Sequence, residues 1–73
     1  MSSYNDLLHL FGEEYANREI KNTFKDELDK ALSENGVNEN DLSEKFDEII
    51  VSQIDRLIFK VSIDGIDRII LEI

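Results

Sequence analysis

The side chains of this chain that could take part in chemistry are one histidine and several paired carboxylates. His9 is the single histidine, and cysteine is absent. A catalytic or metal-binding histidine needs neighbours of suitable type, and neither a second histidine nor a thiolate is present to join it. Pairs such as Glu13-Glu14 and Asp26-Glu27 are common on acidic helices, so they do not by themselves indicate general acid–base catalysis. We predict a surface position for His9 and no catalytic residue.

Calcium and phosphate sites are not indicated by the glycine positions. An EF-hand loop around Gly36 would need an oxygen ligand where Ala31 stands and a glutamate where Leu42 stands. The chain has three glycines in all, and they do not form a glycine-rich phosphate-binding loop. The sequence therefore predicts no metal, no cofactor and no enzymatic activity.

The net charge of the chain is −9, and most of it lies in the first two-thirds. Residues 1–48 hold thirteen acids against five bases, a net charge of −8, whereas residues 49–73 hold four acids against three bases, a net charge of −1. A negative field repels phosphate backbones and anionic lipid surfaces. We therefore expect no direct binding of nucleic acid or membrane, and attraction to a basic protein.

Length and composition indicate one small acidic domain over residues 1–73. The first residues, MSSYNDLLHL, lack the basic region of a secretory signal, and no apolar run is long enough to cross a bilayer. We expect a soluble, cytoplasmic domain, and the absence of cysteine agrees with that compartment. A chain of 73 residues without disulfides is near the lower size limit for a single core, and small domains often gain stability by oligomerisation.

Apolar spacing predicts two helices in the first half of the chain. The first covers residues 4–11, begins after a capping Ser3 and ends at Gly12. Its apolar residues recur at i, i+3, i+4 and i+7 and share one face: Tyr4, Leu7, Leu8 and Phe11. The second covers residues 13–34 and ends at Asn35-Gly36. Its basic stripe, on a face without interleaved aromatic residues, is predicted to be solvated: Arg18, Lys21 and Lys25.

A third helix is predicted over residues 39–54. Asn38 can cap its first turn, and apolar residues then follow at helical spacing. The end of this helix is ambiguous, because Ile49-Ile50-Val51 is a β-branched run and Val51 falls outside the apolar helical face. A shorter helix followed by an additional strand is therefore an alternative that the pattern leaves open.

Two strands are predicted at residues 57–62 and 66–72. A three-residue loop, Ile63-Asp64-Gly65, would join them with glycine in the left-handed region and would set Phe59 opposite Ile69. This register is preferred to a two-residue loop because it collects the apolar side chains on one face: Leu57, Phe59, Val61, Ile69, Leu71 and Ile73. The opposite face would carry Ile58, Ile66 and Ile70.

Together these elements predict an α+β fold in which two or three helices pack on one face of a C-terminal antiparallel β-hairpin. The alternative is a three-stranded meander that begins at about residue 47. A two-stranded hairpin has two free edges. In an isoleucine-rich hairpin we expect these edges and the exposed isoleucine side chains to be buried against other residues. Another part of the same chain, a second copy of the chain or a different protein could make these contacts.

The distribution of charge favours a function in protein binding. We predict that an acidic face acts as a mimic of nucleic acid and occupies the basic groove of a protein partner such as a nuclease or polymerase. The predicted binding residues are Glu34, Glu39, Asp41, Glu44, Asp47 and Glu48. The simpler interpretation is that these acids only keep a small domain in solution.

The general profile of the chain, which is small, acidic and free of cysteine, is similar to phage-encoded inhibitors of host defence and to bacterial immunity proteins. This resemblance is one of type, carried by no motif, and it implies an inhibitor of a nucleic-acid-processing partner. The alternative hypothesis is a structural or regulatory module that forms a homodimer through the predicted hairpin. Its predicted interface residues are Ile58, Ile66, Ile70 and Ile73.

Overall fold

Four α-helices precede a three-stranded sheet in the computed structural model, which describes residues 3–73. The helices are α1 (Tyr4–Phe11), α2 (Glu13–Thr23), α3 (Lys25–Glu34) and α4 (Leu42–Glu48), with a 3-10 turn at Glu39–Asp41 before α4. The strands are β1 (Ile50–Gln53), β2 (Leu57–Ile63) and β3 (Ile66–Glu72). They form an open antiparallel sheet in the order β1-β2-β3. The predicted α+β class is confirmed.

Gly12 separates α1 from α2. Ser3 Oγ caps the start of α1 by accepting a hydrogen bond from the Asp6 N–H at 3.2 Å. At the other end, Gly12 has φ 93° and ψ 168°, a conformation that is open almost only to glycine. Its N–H donates to the Leu8 carbonyl and its own carbonyl accepts from the Ala16 N–H. One residue therefore ends a helix and begins the next without leaving its main-chain groups unpaired.

The single helix predicted over residues 13–34 is divided at Phe24, and in this respect the prediction is wrong. Phe24 has φ −109° and ψ 27°, and its ring meets that of Phe59 in β2 edge-on with 5.9 Å between the centroids. Thr23 Oγ1 donates a hydrogen bond to the Glu19 carbonyl, a contact that often bends helices. The helix is therefore interrupted at a residue whose aromatic side chain packs against the core.

The helix predicted over residues 39–54 ends at Glu48, and the last part of the predicted segment, Ile50–Gln53, forms strand β1 instead. Val51 pairs with Phe59 of β2 and is buried in the core. β-branched side chains suit a strand when a neighbouring strand is available, so pairing outweighs the helical spacing. The sheet has the three strands of the alternative meander and is not the two-stranded hairpin.

The connection between β2 and β3 is a two-residue turn, Asp64-Gly65, and the predicted three-residue loop is wrong. Asp64 has φ 53° and Gly65 has φ 78°, the two positive values that a type I′ turn requires. Ile63 is consequently paired with Ile66. The twist of a type I′ turn matches that of the strands it joins, which favours it over the longer loop.

A β-bulge in β3 restores the apolar face that this turn would otherwise disturb. Lys60 is opposite Ile69 and Phe59 is opposite Leu71, so Ile70 is an extra residue in the pairing. The predicted pair of Phe59 with Ile69 is therefore wrong. Because the bulge shifts the alternation of side chains by one residue, Ile70 and Leu71 both pack against the core. A uniform register, which the sequence interpretation assumed, cannot produce this arrangement.

The hydrophobic core lies between the helices and one face of the sheet. Its buried cluster contains Tyr4, Ala16, Ile20, Leu28, Leu32, Ile49, Val51, Leu57, Phe59, Val61 and Ile63. Two residues that the sequence placed in the core, Ile69 and Ile73, are instead 54% and 53% exposed. Ile69 follows Lys60, its pairing partner, to the side of the sheet away from the helices. Ile73 is opposite Leu57, the first residue of β2, where the sheet ends.

Candidate protein-binding surfaces

The six predicted binding acids are all exposed. Glu34 ends α3, Glu39 and Asp41 bound the 3-10 turn, and the other three lie on α4: Glu44, Asp47 and Glu48. We call these six residues the acidic surface. The predicted helix that was to carry five of them is shorter than expected. The same side chains nevertheless remain in solvent.

Lys21 is buried, contrary to the prediction of a solvated basic stripe. Only 8% of this residue is exposed, and its Nζ donates to the carbonyls of Phe46 and Asp47 at 3.1 Å each and of Ile49 at 3.3 Å. The carbonyls of Phe46 and Asp47 lie in the last turn of α4, where partners within the helix run out, and Ile49 follows directly. The Phe46 carbonyl also accepts a hydrogen bond from the Ile49 N–H at 3.2 Å. The ammonium of α2 therefore holds the end of α4 at the point where the chain becomes β1.

The electrostatics of Lys21 reflect this position. Burial lowers the pKa of its ammonium below the ordinary value of 10.5, and the nearby Asp47 carboxylate opposes that shift in part. A lysine with a lowered pKa can serve as a nucleophile or base in other settings. Here three main-chain carbonyls take up its donors, so the group is structural.

An open cleft of about 570 Å³ surrounds Lys21 between α2, the end of α4 and the start of β1. Its walls carry both bases and acids: Arg18, Lys21, Glu14, Asp47 and Glu48. The arrangement offers mixed polar contacts and brings together no nucleophile with a base and an orienting group.

Two other bases of the helices, Lys25 and Lys45, have their shortest polar contacts with groups outside the acidic surface. Lys25 forms an ion pair with Asp29 at 2.8 Å, and Lys45 Nζ donates to the Ser62 carbonyl at 2.9 Å. Lys45 also lies 3.7 Å from a carboxylate oxygen of Glu48. Within residues 3–73, Glu48 is the one acid of the acidic surface that has an ion pair. The negative charge of that surface is consequently little compensated.

His9 lies exposed in the last turn of α1. In the part of the chain that the structure describes, no three His, Asp or Glu side chains lie close enough together to hold a metal ion.

The side of the sheet away from the helices forms a second surface, which we call the open face. Ile50, Lys60 and Ile69 form one row across the three strands, and the next row contains Ser52, Ile58 and Glu72. Ile50 is 58% exposed and Ile69 is 54% exposed. The sequence interpretation missed both, because it placed Ile50 in a helix and Ile69 in the core. The β-branched run at residues 49–51 was the sequence feature that could have indicated a strand at Ile50.

The four predicted self-association residues are not brought together on one surface. Ile58 is half-buried on the open face, whereas Ile70 packs against the core on the other side of the sheet. Ile66 is exposed at the start of β3, and Ile73 is exposed directly after its end. The predicted set therefore mixes two sides of the sheet.

Comparison of the chain with protein-family models, with curated proteins and with solved structures gave no match. Among the helices that the structure describes, each is too short or too polar to cross a membrane.

Proposed function

We propose that the protein is a small acidic inhibitor that binds a basic protein partner of the nucleic-acid-processing class, such as a nuclease or polymerase. The observation that carries this proposal is the acidic surface: six exposed carboxylates, of which only Glu48 has an ion pair within residues 3–73. The protein acts by occupying the partner and needs no catalytic residue or cofactor for this.

The physical basis of the inhibition is competition for sites that bind phosphates. Carboxylates presented on a rigid surface can accept the hydrogen bonds that Arg and Lys donate to a nucleic-acid backbone. The net charge of −8 over residues 1–48 steers a basic partner toward the helices and makes the association rate dependent on salt.

The positions of two lysines support a rigid acidic surface. Lys21 attaches the end of α4 to α2, and Lys45 attaches α4 to β2 through the Ser62 carbonyl. Both ammonium groups bind main-chain oxygen atoms and so hold the helix in place, and of the carboxylates on α4 only Glu48 has an ion pair within residues 3–73. A preordered surface loses less conformational entropy on binding than a flexible one.

Neutralisation of the acidic surface tests this function. The variant with Glu39→Gln, Asp41→Asn, Glu44→Gln and Asp47→Asn is expected to bind the partner about tenfold more weakly or worse, chiefly at low salt. The partner is first identified by mass spectrometry after capture on the wild-type protein. Its affinity for both proteins is then measured by calorimetry, together with displacement of nucleic acid from the partner.

A matched control changes the net charge equally at other exposed positions. It carries Asp6→Asn, Glu13→Gln, Glu14→Gln and Asp55→Asn and is expected to bind nearly as well as the wild type. Equal affinities of the wild type and the acidic-surface variant would refute the proposal. Equal weakening by both variants would show that total charge, and not this surface, is responsible.

A further inference from the structure

The open face leaves apolar side chains in solvent on a small domain. Helices cover the other side of the sheet, where the core lies. On the open face, Ile50 and Ile69 are more than half exposed and Ile58 is half-buried. Exposed apolar groups in adjacent rows of a sheet are typical of a surface that another molecule covers.

The charged residues of the open face indicate which charged groups a molecule bound there must carry. Lys60 stands between Ile50 and Ile69 in the central row, and in residues 3–73 it makes no ion pair and no side-chain hydrogen bond. Asp67 of β3 lies on the same face, opposite Ser62, and likewise has no ion pair among these residues. A cover that buried Lys60 without a carboxylate would leave a desolvated charge, which is costly.

We infer that a second copy of this chain covers the open face, in a two-fold symmetric dimer in which Lys60 of each copy pairs with Asp67 of the other. The face is self-complementary, since it presents one unpaired base and one unpaired acid beside apolar side chains. A two-fold axis that lies parallel to the two sheets and brings Lys60 to the second Asp67 also brings Asp67 to the second Lys60. Both charges are then paired in one contact.

The charge of the whole chain permits this arrangement in spite of its sign. Two sheets packed face to face lie about 10 Å apart, and each carries a helical layer about 10 Å thick on its outer side. The two acidic surfaces are therefore separated by on the order of 30 Å, several times the Debye length of about 8 Å at physiological salt. Repulsion between the copies is largely screened. The negative charge that would attract a basic partner lies on the helices and not on the open face.

The size of the open face sets the strength of the dimer. Three strands of at most seven residues have a footprint of about 14 by 23 Å, on the order of 300 Å². Stable interfaces bury about 800 Å² on each partner. We therefore expect a weak dimer whose population rises with protein concentration. This inference does not rest on the proposed function, because the acidic surface lies outside the contact.

Analytical ultracentrifugation over a range of concentrations tests the dimer. The wild type is expected to pass from monomer to dimer as its concentration rises. Ile69→Lys places a second positive charge in the row of Ile50, Lys60 and Ile69 and is expected to raise the dissociation constant about tenfold or more. Ile54→Lys is the matched control, because Ile54 is 91% exposed in the loop between β1 and β2. A wild type that stays monomeric, or equal effects of the two substitutions, would overturn the inference.

Charge exchange tests the ion pairs specifically. Lys60→Asp and Asp67→Lys are each expected to weaken self-association, since each variant sets like charges against each other twice. In an equimolar mixture the two variants have complementary charges at both contacts, so a mixed dimer is expected to form. Circular dichroism checks that both exposed substitutions leave the fold unchanged. A mixture that associates no better than the separate variants would show that the pairing is wrong.

Discussion

Lys21 is the residue that connects the helices to the sheet at the end of α4. Its three bonds to the carbonyls of Phe46, Asp47 and Ile49 cover the change from helix to strand. Spacing on α2 cannot reveal this role, because Arg18 and Lys25 stand on the same predicted stripe and remain exposed. The position of α4 alone determines which of the three basic side chains, Arg18, Lys21 or Lys25, is buried.

Replacement of Lys21 by methionine is expected to destabilise the protein by about 1–3 kcal/mol, because the carbonyls at and just after the end of α4 lose the ammonium that donates to them. The measurement is urea unfolding at neutral pH followed by circular dichroism. Lys25→Met serves as control, since the ion pair of Lys25 with Asp29 is exposed and contributes about 1 kcal/mol or less. Equal stability of the two variants would contradict the structural role of Lys21.

The stability that Lys21 provides is also expected to depend on pH. Its pKa is lowered by burial in the folded chain, so between that lowered value and 10.5 the unfolded chain binds more protons at this residue. Stability of the wild type relative to Lys21→Met should therefore rise as pH increases through that range. Tyr4, whose pKa is raised by burial and then by Glu13, titrates in both proteins and cancels in the difference. The measurement is urea unfolding of both proteins between neutral pH and 10.5.

A fall of this difference with increasing pH would contradict the prediction. It would show that the three carbonyls hold the pKa of Lys21 above 10.5 despite the burial of the ammonium.

At the scale of elements, the turn and the bulge of β3 act together. The two-residue turn shifts the pairing by one position from the predicted register. The extra Ile70 shifts it by one more, so that Leu71 and not Ile69 is opposite Phe59. Either feature without the other would place the side chains of part of β3 on the opposite face of the sheet. A bulge in an edge strand also disturbs the regular hydrogen-bonding pattern along that edge, which opposes uncontrolled strand addition.

Gly65→Ala is expected to cost about 1 kcal/mol of stability, because Gly65 has φ 78° and an added side chain disfavours that region. Within residues 3–73, no atom outside the adjacent residues lies within 4 Å of the added methyl group, so the expected effect comes from the backbone conformation. Thermal unfolding measures it. Asp64→Asn is the control and is expected to be neutral within about 0.5 kcal/mol, since Asn-Gly suits a type I′ turn. An unchanged melting temperature for Gly65→Ala would argue against this turn.

At the scale of the whole molecule, the two surfaces lie on opposite sides of the sheet. The acidic surface is part of the helical layer, and the open face is nearly balanced in charge, with Glu72 paired to Arg56 at 3.0 Å. The smaller dimensions of the molecule, 22 and 19 Å, suit one layer of helices on one sheet. The proposed inhibitor and the proposed dimer therefore use separate surfaces. A dimer would present its two acidic surfaces outward, each free to bind a partner.

The sequence by itself determined the features that depend on neighbouring residues. The helix over residues 4–11, the helix break at Gly12 and the α+β class follow from spacing, capping and backbone freedom. The concentration of negative charge in residues 1–48 follows from composition, and exposure of the acids follows from the cost of burying charge.

Only the tertiary structure decided the features that depend on distant residues. Ile49-Ile50-Val51 is compatible with a helix or a strand, and pairing with β2 selects the strand. The register of β3 depends on a bulge whose benefit is the packing of Ile70 and Leu71 on the core. Lys21 is buried because the end of α4 lies beside it. In each case the deciding energy comes from contacts between elements, which spacing along the chain does not contain.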